Sequence, residues 1–261
     1  PIFAFSHYCA GQLDEARRLA RQAESVLRPF RDVHLSYAYH MLRHIESIVG
    51  DADKVLRWGE LELEISTATN ATEIMGWANY GLTHAHALRG DHVQSLEAAN
   101  ESIKLLQRNH SNFVSVAHME HGFALLQASR YTEAVEALKH AYQSMKATLF
   151  FFEIAMPTFP RLVEALLGAG WSTQAVESRS NLRLAMKFAR LARMFSFSFP
   201  NIRPHTWRVV GRLSYACGKS ARAAKCFRRA IVEADKLGAK YERARAMIDL
   251  GTILPDEQRS L

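Results

Sequence analysis

Apolar residues recur along this chain three and four positions apart, the spacing that places them on one face of a helix. Tyr37, Met41, Leu42, Ile45, Ile48 and Val49 make one such stripe, and Val135, Leu138, Ala141, Tyr142 and Met145 make another. The stripes are punctuated by turns at Gly11, Gly50-Asp51, Gly90-Asp91, Ser129-Arg130-Tyr131, Gly170-Trp171 and Gly218-Lys219. Their spacings are 39, 40, 39, 41 and 48 residues, the mark of an internal repeat. Five positions after each turn stands a compact residue: Ala16, Val55, Ser95, Ala134, Ala175 or Ala223. Glycine accepts the left-handed conformation that closes a first helix. Asp51, Asp91, Thr132 and Ser220 can cap or lead the second, and the compact residue lets the two antiparallel helices approach. The pattern predicts six helical hairpins and a seventh first helix, from about Ala239 to Ile253, closing the C-terminal end.

A single hairpin cannot bury both faces, so hairpins must stack. The residues that carry this pattern resemble the tetratricopeptide repeat, with a small residue at the inter-helix turn, aromatic or apolar residues before it and Ala after it. The clearest unit is Phe113 to Lys146, where Gly122, Tyr131, Ala134, Leu138 and Ala141 stand at the motif's key positions. The period is about 40 rather than 34, so the helices are longer. Arg43, Glu62 and Thr83 occupy places where a small residue is expected. The resemblance implies an all-α, right-handed α-solenoid. Residues 1–178 would hold four hairpins and the start of a fifth, and 179–261 the basic C-terminal repeats, continuous with them as one solenoid.

The C-terminal third resembles something more particular. From Leu182 to Gly251 the order LRLAMKFARLARMF, then Pro200 and Arg203-Pro204, then WRVVGRLSYACGKSARAAKCFRRAIVEADKLGAKYERARAMIDLG, is similar to the C-terminal helical-repeat region of large signalling proteins. These include multidomain class III adenylate or guanylate cyclases carrying an ATPase module, and related ATPase-type regulators. That resemblance implies a sensing or restraining module whose catalytic domains lie upstream.

Composition changes the picture in a few places. Hydrophobic residues make up 48% and charged residues 23%, as in a folded soluble chain, while 7 prolines and 13 glycines are few for a β-sandwich. The sequence shows no transmembrane run and no cleavable leader, and its three unpatterned cysteines (Cys9, Cys217, Cys226) suit a reducing, cytoplasmic setting. Opening on Pro1 within an apolar run, it reads as a piece of something longer. Charge is uneven. Between Arg179 and Arg245 stand 17 Lys and Arg against three acids, Glu233, Asp235 and Glu242, although the whole chain carries only +7. A basic face formed by Arg222, Lys225, Arg228 and Arg229 could steer an acidic protein, nucleic acid or anionic lipid, or be a solvated surface whose long stems cover apolar neighbours. Phe195, Phe197, Phe199 and Trp207 sit nearby, as stacking on single-stranded nucleic acid would require. The Phe triplet with Pro200 also reads as a buried loop between repeats.

In the tetratricopeptide register, certain first-helix positions line the concave side. They are His40, His44 and Ser47; Trp77, Tyr80, His84 and Leu88; Met119, Phe123 and Gln127; and Arg208, Arg212 and Tyr215. Aromatic, His and Arg side chains combine large area with a polar tip, as binding hot spots do. The same residues could instead be packing between tightly wound helices. A groove of this kind would take a protein or peptide partner, or an upstream domain of the same polypeptide. The carboxylate-clamp pattern of some repeats is absent, with Pro1, Phe5, His40 and His44 where it would begin.

No catalytic constellation stands out. His40 with His44, and His118 with His121, share helical faces, but a zinc site needs three protein ligands, and no metal or cofactor is expected. Gly218-Lys219-Ser220 imitates the end of a phosphate loop, yet Leu213 stands where its first glycine belongs. Cys217 and Cys226 read as small core residues. Glu62, Glu64 and Asp51-Asp53 read as exposed helix faces. The sequence therefore predicts a non-enzymatic interaction or regulatory scaffold, with nucleic-acid or anionic-surface binding as its rival.

Overall fold

The computed structural model describes residues 2–171 and 175–254, with the side chains of 171–178 outside that description. The described residues form helices and no strand. In chain order they are α1 (Ile2–Cys9), α2 (Leu13–Leu27), α3 (Val33–Val49), α4 (Ala52–Ala68), α5 (Thr72–Arg89), α6 (His92–Arg108), α7 (Val114–Gln127), α8 (Tyr131–Thr148), α9 (Thr158–Trp171), α10 (Ala175–Ser198), α11 (Arg203–Ala216), α12 (Ser220–Leu237) and α13 (Lys240–Gly251). Single 3₁₀ turns lie at Glu153–Ala155 and Pro200–Ile202. The chain divides into two compact units, Pro1–Thr158 and Phe159–Leu261.

Five pairs of helices form as the spacing predicts, α1/α2, α3/α4, α5/α6, α7/α8 and α11/α12, with α13 following as the closing helix, and α9 meets α10 through the Phe159 and Phe195 rings. The described turns between paired helices adopt positive φ at Gly11, Gly50, Gly90, Ser129 and Gly218. At Gly90 and Gly218 a Cβ would meet nothing within 4 Å, so glycine is needed there for conformation and not for space. Asp51 caps α4 by accepting from the Lys54 amide at 3.1 Å. Asp91 makes no side-chain cap; its carboxylate turns back to Arg89 Nε at 3.3 Å and His86 Nδ1 at 3.5 Å. Thr132 and Ser220 lie inside the first turns of α8 and α12 rather than before them. The turn after Gly170-Trp171, and the Ala175 side chain, lie outside the described residues.

Compact residues do the joining within unit 1. Ala16, Val55, Ser95 and Ala134 are all fully buried. Ser95 Oγ donates to the Thr83 carbonyl at 2.8 Å and Ser102 Oγ to the Gly76 carbonyl at 2.8 Å, so these hydroxyls enter the core already satisfied. Gly122 faces Leu138 so closely that a Cβ would stand 2.5 Å from its Cγ. Each fully buried Leu or Met in these seams is worth about 1.5–3 kcal/mol of transfer free energy. Rings link one hairpin to the next: Tyr8 to His44 at 5.9 Å, His40 to Trp77 at 5.1 Å and Trp77 to Phe113 at 4.6 Å, and Phe113 in turn meets Phe150, just past α8 of its own hairpin, at 5.1 Å.

Unit 2 repeats the design around α11 and α12. Ala223, Ala230 and Ala234 are buried, and Gly211 gives its space to the Phe227 ring. The Phe triplet divides. Phe195 stacks on Phe159 at 5.0 Å, whereas Phe197 is 80% exposed, so the stretch before Pro200 is not a buried loop as a whole. Arg203 fastens it by donating to the carbonyls of Ser196 and Phe197 at 2.8 and 3.0 Å.

Candidate functional site

Glu62 is not on an exposed face. Its carboxylate is fully buried and grips Arg43 Nε at 2.8 Å through one oxygen and His40 Nδ1 at 2.9 Å through the other. Arg43 reaches on to the Trp77 carbonyl at 3.2 Å and lies 4.8 Å over the Tyr80 ring. Room for it comes from Gly81, where any Cβ would overlap the guanidinium stem. His44 Nε2 stands 3.1 Å from His40 Nε2 and 3.4 Å from the Tyr80 hydroxyl. Burial would raise the Glu62 pKa, but Arg43 and His40 outweigh it and hold it lowered. Burial pushes both histidines down, His44 well below the ordinary value, so both are neutral at pH 7.

Four of the predicted groove residues, His40, His44, Trp77 and Tyr80, thus belong to one internal polar cluster spanning α3, α4 and α5. Two more, Met119 and Phe123, are buried in α7, and His84 bridges to them by its contact with Glu120 at 2.9 Å and its stacking on Phe123 at 4.7 Å. These side chains pack hairpin on hairpin rather than line an open surface. Ser47, Leu88 and Gln127 are half-buried.

Arg208 and Arg212 meet the same fate in unit 2. Arg208 is buried and binds three carboxylates: Glu164 at 2.8 Å, Glu242 at 2.8 Å and Asp249 at 3.4 Å. Glu164, from α9, also takes Arg212 at 3.0 Å, His205 at 3.1 Å and Arg245. Burial opposes ionisation of both acids, yet Arg208 and Arg245 keep Glu164 well below the carboxylate range, and Arg208 with His205 brings Glu242 down to about 2. Burial lowers His205. This network ties α9, α11 and α13 together. Tyr215 alone of the predicted groove set is 43% exposed.

The basic face stands in the open. Arg222, Lys225, Arg228 and Arg229 are all exposed on α12, and Arg190 and Arg193 are exposed on α10. None of the six has an ion-pair partner among the described residues. Arg229 lies 4.0 Å and Arg193 5.5 Å over the Trp207 ring. Between α10, α11 and α12 opens a cleft of about 250 Å³, lined by Met186, Ala189, Val210 and Leu213 below and by Arg190, Arg193, Lys219 and Arg222 around it, with Ser214 and Cys217. Cys217 is exposed there, while Cys226 is buried, so only one of the two is a core thiol.

Unit 1 has a groove of about 600 Å³ between α6, α7 and α8 that includes His118, His121 and His140. Burial, then neighbouring His140, lowers His118 to about 4. Among the described residues no three His, Cys, Asp or Glu are placed to hold a metal ion. Sequence reasoning missed Glu164, Glu242 and Arg245. A signal existed for Glu164, which interrupts the apolar run Leu162 to Leu167, where an acid needs a buried partner.

No protein-family model matches the chain, and no curated protein is similar to it by sequence. Among solved structures it is similar to the crystal structure of the apo form of RapI, with a TM-score of 0.64 over 90% of this chain and 81% of that one. Identity is 10%, so the likeness is one of helical-repeat fold. No helix of the described residues is long and apolar enough to cross a membrane.

Proposed function

We propose that the chain is a non-catalytic protein-interaction module that binds an acidic segment of a partner through the basic α10–α12 face. One observation carries this reading: Arg190, Arg193, Arg222, Lys225, Arg228 and Arg229 are exposed and have no carboxylate partner among the described residues, while the arginines of the predicted concave groove are consumed internally. A dense field of one sign raises the encounter rate with an oppositely charged partner. Because the C-terminal third resembles the repeat region of signalling proteins, an acidic stretch of upstream cyclase-type or ATPase-type domains in the same cytoplasmic polypeptide is one such partner.

Nucleic acid is disfavoured by the aromatics. Trp207 already carries two guanidinium groups, and Phe195 is stacked on Phe159, which removes platforms on which unpaired bases would stack.

Fluorescence anisotropy with a labelled Asp/Glu peptide and with a single-stranded DNA of equal charge tests the proposal. The peptide is expected to bind more tightly than the DNA, and Arg222→Glu with Lys225→Glu and Arg228→Glu to abolish binding while helicity by circular dichroism is retained. Tighter DNA binding with a steep salt dependence, or equal peptide binding by the variant, overturns it.

A further inference from the structure

The cleft between α10, α11 and α12 has a counterpart in unit 1. The groove between α6, α7 and α8 is likewise formed by the second helix of one hairpin and both helices of the next. Aligning the turns at Ser129 and Gly218 matches Arg130 with Lys219, Glu133 with Arg222, His121 with Val210 and Leu125 with Ser214, and all of these line their respective spaces. The stacking geometry thus produces such a space in both units. Its chemistry differs in each.

At the start of the second helix, the second and fourth hairpins balance their charge. Asp51 and Lys54 pair at 2.7 Å in the second hairpin, and Arg130 and Glu133 pair at 2.7 Å in the fourth. The sixth has Lys219 and Arg222 at these two positions, and the first turn of α12 contains no acid. Two cations three residues apart repel, and cations at a helix N-terminus are opposed by the helix dipole. Arg190 and Arg193 from α10 add two more charges around the same opening. The sequence sets four like charges against one another here, with no carboxylate lining the cleft among the described residues. A local rule broken without internal compensation is the signature of a site that an outside group completes.

The floor limits what that group can be. Met186, Ala189, Val210 and Leu213 are apolar, and the cleft's volume of about 250 Å³ lies between a benzene-sized cavity of about 150 Å³ and the roughly 300 Å³ at which drug-sized pockets begin. One large apolar side chain fits, with anionic groups beside it on the rim. We propose that the cleft is the anchor pocket for an acidic docking segment of a partner protein, taking one aromatic or large aliphatic side chain flanked by Asp or Glu. This deepens the basic-face reading above and rests on it.

Two short peptides test it on the full chain: one with a single Phe among Asp and Glu residues, the other with Ser in place of that Phe. Burying the ring is expected to make the Phe peptide bind about tenfold or more tightly, a difference of about 1.4 kcal/mol or more. Cys217 lines the cleft and is exposed, so its labelling by a neutral maleimide, read by peptide mass mapping, should slow with the Phe peptide and not with the Ser peptide. Cys217→Trp, filling the cleft from its rim, should remove the Phe advantage and leave Ser-peptide affinity unchanged, which also shows that the face remains folded. Arg222→Glu restores the pairing seen at the fourth hairpin and should abolish binding of both peptides. Equal affinities for the two peptides with unprotected Cys217 would overturn the anchor pocket while leaving the basic-face reading intact. Binding of neither peptide would overturn both.

Discussion

Arg43 and Glu62, joined at 2.8 Å inside unit 1, occupy the two positions at which the fourth hairpin has Gly122 and Ala141. One hairpin brings its helices together by using small side chains, the other by placing opposite charges in the same space. The exchange is coordinated with a third position. Gly81 on the next hairpin leaves the room that the Arg43 side chain fills. Such a pair is a specificity device more than a source of net stability, because desolvating both charges offsets much of their attraction.

Removing one partner should expose that cost. Glu62→Gln strands a buried guanidinium and is expected to lower unfolding free energy by about 3–5 kcal/mol, measured by urea denaturation. A double-mutant cycle with Arg43→Met should recover part of the loss. An additive result would mean that the two charges are not coupled.

Gly81→Ala should destabilise by about 1–3 kcal/mol through overpacking against Arg43. Gly122→Ala and Gly211→Ala, which meet Leu138 and Phe227, should do the same. In the Arg43→Ala background the Gly81→Ala cost is expected to fall, since the clashing atoms are gone. A cost unchanged by that second substitution would assign the effect to the backbone instead.

Acid should loosen unit 2 through its carboxylates. Glu242 is held at about 2 and Glu164 well below its usual range, so their folded pKa values lie under the unfolded values near 4.3. Stability from such depressed groups is fully present above the unfolded pKa and is lost as pH falls through it towards the folded pKa. Hydrogen exchange in α9, α11 and α13 should therefore accelerate between about pH 5 and pH 2, and Glu164→Gln should flatten that dependence.

Histidine acts at higher pH in unit 1. His118 is lowered to about 4, mainly by burial, against an unfolded value of roughly 6.5. The folded state then binds fewer protons than the unfolded state between those values, so stability is present above about 6.5 and declines as pH falls towards 4. The expected loss is on the order of 3 kcal/mol. His118→Gln should make the urea midpoint less dependent on pH across this window.

The positions of the hairpins were legible because their causes are local. A glycine able to adopt positive φ, a compact residue five places on and an apolar stripe can each be recognised within one turn and its flanking helices. Arg43, Glu62 and Thr83 registered only as departures from the repeat, although the opposite charges at two small-residue sites of one hairpin were themselves a pairing signal. Which members of the aromatic and histidine set, from His40 to Tyr215, would be buried was not legible, because burial depends on the neighbouring hairpin and not on the residue's own helix.

The sequence by itself determined the all-α class, the five hairpin turns among the described residues, the closing helix now seen at Lys240–Gly251 and the concentration of positive charge in the C-terminal third. These follow from periodicity, backbone conformation and composition, which need no partner. Only the tertiary structure decided which polar groups are interior and which are free. Arg43 meets Trp77 from 34 residues away, Arg208 meets Glu164 from 44, and Arg245 meets the same Glu164 from 81. A charge becomes structural when a distant helix brings a counter-charge into a space without water, and it stays available when none arrives. That distinction separates Arg208 and Arg212 from Arg190, Arg193 and Arg222.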